Sequence, residues 1–463
     1  MYWLESSSRA WIGRLNTRNK RQQTLDYSYY ENLGFGKSGH WSNNDLARFL
    51  VLDYLERMHA KDFYQTENIL TATFQAASLK FEKHKKILHI IDHAYNTIAF
   101  FTVNRRNKAK RRKKVLFVTC NKYSSMILAA KKEYDVEMIV EGKKDRLFAI
   151  KHLIPYNSYS DLNRLMLAYL TKKEVSSLRE LANKVEERIK KVNPDYMVML
   201  VDCLPIERAV VLAGKKLGIT TIEIQHGVYH DSFPLETGKV ADKVLVWGQY
   251  FKDLYVRQRA REPEDMYVLG YPRPIEGSNA IGKNHNPYVV YYLGQDFESY
   301  NEKFLNIKVE TIKEIHRICN TLGMKFVFRP HPGDRRESLE KILPGIQFND
   351  TTENLEEAFA KGDIFISFQS TALIEAAMRR KISLQLVNYP ITSDNFEQLG
   401  VCNKTMETVG ELEKYLTALV TAPDLDRFAL NFNNGYIETR CNPGERFLEI
   451  LKEIERGNLI TSR

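Results

Sequence analysis

From Val115 onward the chain alternates short apolar runs with longer amphipathic stretches. The runs are VLFVTC (Val115–Cys120), VEMIV (Val136–Val140), YMVMLVD (Tyr196–Asp202), TTIEIQHG (Thr220–Gly227), KVLVWG (Lys243–Gly248) and MYVLGYP (Met266–Pro272). They are apolar at successive positions, as expected of strands covered on both faces. Between them lie a helix-like stretch at Ser124–Glu133, a long helix ending near Lys191 and another from about Ile206 to Leu217. Glu276–Pro287, EGSNAIGKNHNP, is rich in Gly, Asn and Pro and reads as a linker. The alternation then restarts. YVVYYLG (Tyr288–Gly294), KFVFRPHP (Lys325–Pro332), IFISF (Ile364–Phe368) and ISLQLV (Ile382–Val387) are strands. Phe304–Leu322, Leu355–Asp363 and Ser370–Lys381 are helices. Strand–helix alternation on both sides of one linker predicts an α/β chain with two Rossmann-like domains, 114–275 and 288–425.

The flanks read differently. Residues 1–40 have weak periodicity, but from Ser42 the spacing of Leu46, Phe49, Leu50 and Tyr54 is helical. Helical pattern continues through Ile69–Phe81 and Ile87–Phe101, so 1–113 is read as a mostly helical N-terminal extension. Residues 426–463 form a C-terminal helical segment expected to pack back on the cleft, with Phe447, Ile450 and Leu451 on one face of Gly444–Arg456.

Composition narrows the class. The 463 residues are 43% hydrophobic and 27% charged, a globular balance too long for one core. The five cysteines, Cys120, Cys203, Cys319, Cys402 and Cys441, are scattered without a C-x-x-C, which suggests neither disulfides nor zinc. With no apolar leader in MYWLESSSRAWIGR, this points to the cytoplasm. The most apolar stretch, Ile87–Val103, contains Asp92, His93 and Asn96 and reads as a buried helix.

The formal charge of +10 is partly concentrated in Asn104–Lys114, NRRNKAKRRKK. A run without interleaved aromatics is no stacking platform for single strands. It suits a solvated linker or peripheral contact with an anionic inner leaflet, at about 1 kcal/mol per basic residue near the surface. A basic nucleic-acid-binding protein is the remote alternative. No helix-turn-helix, RNP or zinc signature supports it, so nucleic acid is not an expected partner.

Candidate chemistry lies at the strand ends, where ligands of doubly wound sheets bind. In the second domain Gly294-Gln295 follows the first strand, and Gly permits close backbone approach. Arg329-Pro330-His331-Pro332 follows the next, its prolines stiffening the presentation of Arg329, a phosphate gripper, and of His331, a proton or hydrogen-bond donor. Ser370-Thr371 opens a helix after the third, offering hydroxyls and free N–H groups to phosphate or acting simply as caps. Glu375, one turn on, can accept ribose hydroxyls. In the first domain, Asp202 ends one strand and Gln225-His226-Gly227 the next. Glu207, His230 and Asp231 lie near them. Asp202 or His226 is the candidate base for an acceptor hydroxyl. Gln225, Gly227, Glu207 and His230 are candidate acceptor-binding residues. No D-x-D closes a strand, so neither metal nor cofactor is expected, and Arg, His and a helix dipole would neutralise a leaving phosphate.

These motifs resemble the donor domain of GT-B bacterial surface-polysaccharide glycosyltransferases. They are most similar to the HP-motif and ST-motif sialyltransferases and polysialyltransferases, with related capsule transferases behind them. His331-Pro332 and Ser370-Thr371 carry the likeness, and Gln225-His226-Gly227 resembles an element common in such transferases. The resemblance implies a CMP-linked acidic-sugar donor. It places the donor phosphate on Ser370 and Thr371, has His331 assist its departure, and implies an inverting transfer to a glycan or glycolipid acceptor in capsule or lipo-oligosaccharide synthesis. Those families draw their base from an acidic-acidic-Gly motif; the nearest counterpart here, Glu141-Gly142, has one acid. UDP-sugar, GDP-sugar or CDP-polyol donors are the alternatives on the same scaffold.

Overall fold

The computed structural model describes residues 42–60, 65–79, 112–118, 123–140, 142–229, 238–258, 261–273, 287–422, 430–439 and 442–461, with a few isolated positions besides. Most of the basic run 104–114 and of the linker 276–287 lies outside them, as do His230 and Asp231.

Seven strands form the first sheet: β1 (Lys114–Val118), β2 (Asp135–Val140), β3 (Tyr156–Ser158), β4 (Tyr196–Met199), β5 (Thr220–Ile224), β6 (Lys243–Val246) and β7 (Met266–Val268). Their order is β3-β2-β1-β4-β5-β6-β7, and every pairing is parallel. The second sheet holds β8 (Val289–Leu293), β9 (Lys325–Arg329), β10 (Ile364–Ser367), β11 (Ile382–Leu386) and β12 (Lys404–Met406). Its order is β12-β11-β10-β8-β9, again parallel throughout. The central strands are buried on both faces, which is why they read as unbroken apolar runs. The chain is thus α/β with two Rossmann-like domains. Each sheet reverses winding direction once, between β1 and β4 and between β8 and β10. Crevices open at such points beyond the strand ends.

One hydrophobic cluster crosses between the domains. Val246, Trp247 and Tyr271 of the first sheet side share it with Leu293, Leu373 and Ile374 of the second. The chain returns after the second sheet through 433–438. Glu438 N donates to Trp247 O (2.8 Å), Tyr271 N to Glu438 O (2.7 Å), and Asn433 N to Gly400 O (2.9 Å), so this segment is bonded to both domains. The final helix, Pro443–Thr461, then lies on the first domain. Phe447, Ile450, Leu451 and Ile454 pack with Met126, Ile127 and Ala130 of the helix Ser124–Glu133.

The described part of the N-terminal extension is helical and belongs to the first domain's core. Leu46, Phe49, Leu50 and Val51 pack with the helices Val175–Val192 and Pro205–Leu217. Arg208, fully buried, faces the equally buried Asp53 at 3.6 Å, donates to the Phe49 carbonyl and lies 5.1 Å over the Phe49 ring. A charge this deep is tolerated only beside its partner. Gln65 N also donates to Tyr300 O of the second domain at 2.9 Å, so the extension touches both domains.

Candidate active site

The second sheet's reversal point is built around Gln295. Its Nε2 donates to Gln369 O (2.7 Å) and its Oε1 accepts from Gln369 N (2.8 Å). A side-chain amide thus continues the β8–β10 ladder past the last strand residue and fixes where Ser370 begins the helix Thr371–Met378. Gln295, expected to touch a donor, is occupied in placing the residues that would. Gln295→Ala orphans a donor and an acceptor. We expect a loss of about 2 kcal/mol of stability, checked by chemical unfolding.

Ser370 is the helix's N-cap, its Oγ accepting from Ala372 N at 3.2 Å. It and Thr371 are half-buried, so their hydroxyls remain reachable beside the helix N-terminus.

Gly294 joins this turn to the His331 loop. A Cβ there would stand 3.2 Å from Asp334 Oδ2 and 3.3 Å from Arg329 O, so only Gly fits comfortably. Asp334 Oδ2 accepts from His331 N (2.8 Å), and Oδ1 accepts from Lys308 Nζ (2.8 Å). Lys308 is fully buried and also ion-paired with Glu298. His331 is exposed. Its Nδ1 accepts from Gly333 N (3.1 Å), which leaves Nε2 as the ring's donor in the neutral form.

Arg329 sits differently from the sequence expectation. Its Nη1 donates to Glu353 O (3.0 Å) and approaches Glu353 Oε2 (3.4 Å), bracing the 350–354 loop instead of standing open for phosphate.

Asp296, Glu298 and Asp334 form an acidic trio whose nearest oxygens lie within 4.8 Å of one another, a spacing absent from the sequence reading. Lys308 already neutralises two of its members. Burial, the largest cause, raises the Glu298 carboxyl above its ordinary range against the pull of that ammonium.

In the first domain Asp202 is fully buried at the end of β4. Oδ1 accepts from Gly238 N (2.8 Å), and Oδ2 from Val240 N (2.6 Å) and Ala241 N (2.9 Å). Glu223 of β5, also fully buried, accepts from Gly238 N (2.6 Å) and Tyr229 OH (3.3 Å). The two carboxylates therefore hold Tyr229 and Gly238, on either side of 230–237. Asp202, expected as a base, is spent on backbone N–H groups. Burial pushes the Tyr229 hydroxyl far above its usual range, which leaves it a neutral donor.

Gln225 is likewise structural. Its Oε1 accepts from Trp247 N (2.8 Å), and its Nε2 donates to Gly227 O (2.8 Å), so its amide shapes the turn that presents His226. His226 is half-buried, its ring edge-on to Tyr229 at 6.1 Å. Glu207 is buried in the first turn of Pro205–Leu217.

The two domains meet at these turns. A Cβ on Gly227 would stand 4.0 Å from Thr371 Oγ1, placing the Gln-His-Gly turn directly against the Ser-Thr helix start. Glu375, 2% exposed, receives Arg273 Nη2 on Oε1 at 2.5 Å, and the same nitrogen donates to Tyr271 OH at 2.7 Å. Arg273, Lys308 and Asp334 were not singled out from the sequence. Arg273 had a signal: Tyr-Pro-Arg-Pro after β7 repeats the alternation with proline seen in Arg-Pro-His-Pro after β9.

No protein-family model matches the chain, and no curated protein does. Solved structures match at the level of fold. A Listeria monocytogenes protein provisionally assigned as UDP-N-acetylglucosamine 2-epimerase aligns with a TM-score of 0.54 at 16% identity, over 74% of this chain and 96% of its own. S. aureus MnaA, in a co-structure with UDP, gives 0.52 at 16% identity over 75% and 98%. The Neisseria meningitidis UDP-GlcNAc 2-epimerase bound to UDP-GlcNAc gives 0.50 at 16% over 73% and 100%. The shared property is the GT-B arrangement of two Rossmann-like domains. Among the described residues no helix is long and apolar enough to cross a membrane.

Proposed function

We propose that the chain acts on a nucleotide-linked sugar held at the ends of β8 and β10, and transfers that sugar to a hydroxyl acceptor bound against the first sheet. The observation that carries this reading is the convergence of Gly227 on Thr371. It sets a histidine turn of one sheet against a phosphate-suited helix N-terminus of the other.

The roles follow from the geometry. Ser370, Thr371 and the positive end of the helix they open hold the donor phosphate. His331 donates from Nε2 to the phosphate oxygen as the bond from that oxygen to the sugar's anomeric carbon breaks. Glu375 accepts ribose hydroxyls through Oε2, which is buried and has no hydrogen-bond partner among the described residues. His226 takes the acceptor proton as the acceptor oxygen bonds to the anomeric carbon. It replaces Asp202 in that role, because Asp202 is enclosed by three N–H donors. The helix N-terminus and the His331 donor balance the leaving phosphate in this reading, which assigns no metal.

The donor base is the finer question. The His-Pro and Ser-Thr motifs favour a CMP-linked acidic sugar, and with it a glycan or lipid-linked acceptor in surface-polysaccharide synthesis, reached at the inner membrane through 104–114. The fold neighbours that carry UDP and UDP-GlcNAc favour UDP and supply a second reading, epimerisation of a UDP-sugar. A thermal-shift series with CMP, CDP, UDP and GDP separates them. A nucleotide at about a hundred times its Kd stabilises the fold by about 2.7 kcal/mol. Selective stabilisation by CMP supports the acidic-sugar donor, by CDP the polyol donor, and by UDP or GDP the neutral sugars. Consumption of UDP-sugar without any acceptor identifies the epimerase. No shift with any nucleotide refutes the donor site.

A further inference from the structure

Glu375 lies on the second domain, but the cation beside it comes from the first. Arg273 follows β7, at the end of the first sheet and just before the linker, and reaches across to Glu375 Oε1. Its guanidinium lies 5.5 Å from the centre of the Tyr271 ring, and its Nη2 donates to the Tyr271 hydroxyl. Tyr271 is in turn held by backbone, its N donating to Glu438 O of the returning segment. Arg273 is therefore fixed from behind by first-domain and C-terminal residues, while its tip spans the cleft.

The carboxylate it meets is 97% buried at the side chain, and Oε2 has no hydrogen-bond partner among the described residues. A carboxylate at this depth needs a cation beside it, or it is an uncompensated buried charge. It also needs acceptors for its remaining lone pairs to be used. Arg273 meets the first need through Oε1 and leaves Oε2 for something else. Arg379, at the end of the same helix, directs its guanidinium to the Glu375 carbonyl and to Glu356. Arg273 is bonded to the Glu375 side chain itself.

We infer that Arg273 is a positioning residue for ribose recognition: the first domain, through Arg273, holds the Glu375 carboxylate so that Oε2 faces the diol of a nucleotide on the second domain. This rests on the proposed nucleotide site at β8–β10. Recognition of the nucleoside is then divided across the hinge, and a nucleotide engages Glu375 fully only when the domains stand as in this structure. The energy of that diol contact becomes available to hold the domains together.

The test compares one nucleotide with its diol-less form on three proteins. The nucleotide is whichever of CMP, CDP, UDP and GDP binds the wild type best, and the second probe is its 2′,3′-dideoxy counterpart. Binding is read by calorimetry on wild type, Arg273→Gln and Arg273→Lys, each first checked for a cooperative melt. The wild type should prefer the ribonucleotide by about tenfold or more, the scale of one hydrogen bond to a charged group. Arg273→Gln should lose most of that preference by weakening the ribonucleotide alone, with dideoxynucleotide affinity kept within about twofold of wild type. Arg273→Lys, which keeps the charge but not the planar fork, should fall between them. If Arg273→Gln retains the full preference, or weakens both probes equally, Arg273 is only a strut between domains and the inference is wrong. If the wild type itself does not distinguish the two probes, or binds no nucleotide, the Glu375 reading fails before Arg273 is reached.

Discussion

Replacing His331 with alanine is expected to lower kcat by about a hundredfold to a thousandfold, with only a few-fold change in KM for the donor. The split follows from where His331 sits. In the proposed mechanism the phosphate is held by the helix N-terminus at Ser370 and Thr371, and the substitution leaves that helix start intact. His331 adds a donor from an exposed loop, and that donor matters most when charge develops on the departing phosphate. The backbone bond from His331 N to Asp334 remains in the alanine variant, which loses the ring and the ring's bond from Gly333 N. Steady-state kinetics at saturating acceptor read the effect directly. An Asp334→Ala variant should lower kcat more mildly while also destabilising the fold, because the buried Lys308 loses one of its two carboxylate partners and His331 N loses its acceptor. If His331→Ala changed KM and not kcat, the ring would be a ground-state binding group and not an assistant to departure.

The second large effect is on stability. Asp202→Ala leaves the N–H groups of Gly238, Val240 and Ala241 short of an acceptor in a fully buried setting. Each orphaned donor costs about 1–3 kcal/mol, and Gly238 N keeps Glu223, so the sum is about 4 kcal/mol. Asp202→Asn keeps one oxygen and presents an NH2 to N–H donors, so it should lose about half as much. Urea unfolding of the first domain measures both. The activity of Asp202→Asn decides between roles. As an anchor, it should leave kcat within a few-fold once the protein is folded. A loss of about a hundredfold or more at unchanged stability would return Asp202 to the role of base.

These two residues also show what the sequence could and could not disclose. The alternation of apolar runs and helices was enough to place the longer strands of both sheets, because strands buried on both faces leave an unmistakable pattern. Strand-end positions were equally legible: Gly294, His331, Ser370 and Gly227 all lie beyond parallel strands. What side chains do there depended on partners far along the chain. Asp202 read as a candidate base and Gln225 as an acceptor-binding residue because they are polar at strand ends. Each is instead consumed by backbone groups, of Gly238 to Ala241 in one case and of Trp247 and Gly227 in the other. Arg329 read as a phosphate clamp and is held by Glu353, 24 residues later. Arg273 went unread because its partner, Glu375, is 102 residues away in another domain. Periodicity reports burial and direction. It does not report which of two buried polar groups will meet.

The central claim is that a nucleotide sits at the N-terminus of the helix Thr371–Met378, beyond β8 and β10. A crystal structure of the chain grown with the nucleotide that stabilises it most tests this directly. The expected result is phosphate density within hydrogen-bond reach of Ser370, Thr371 and the helix N–H groups, with the ribose on Glu375. Phosphate density beyond β1 and β4 in the first domain, with the second-domain crevice empty, would contradict it.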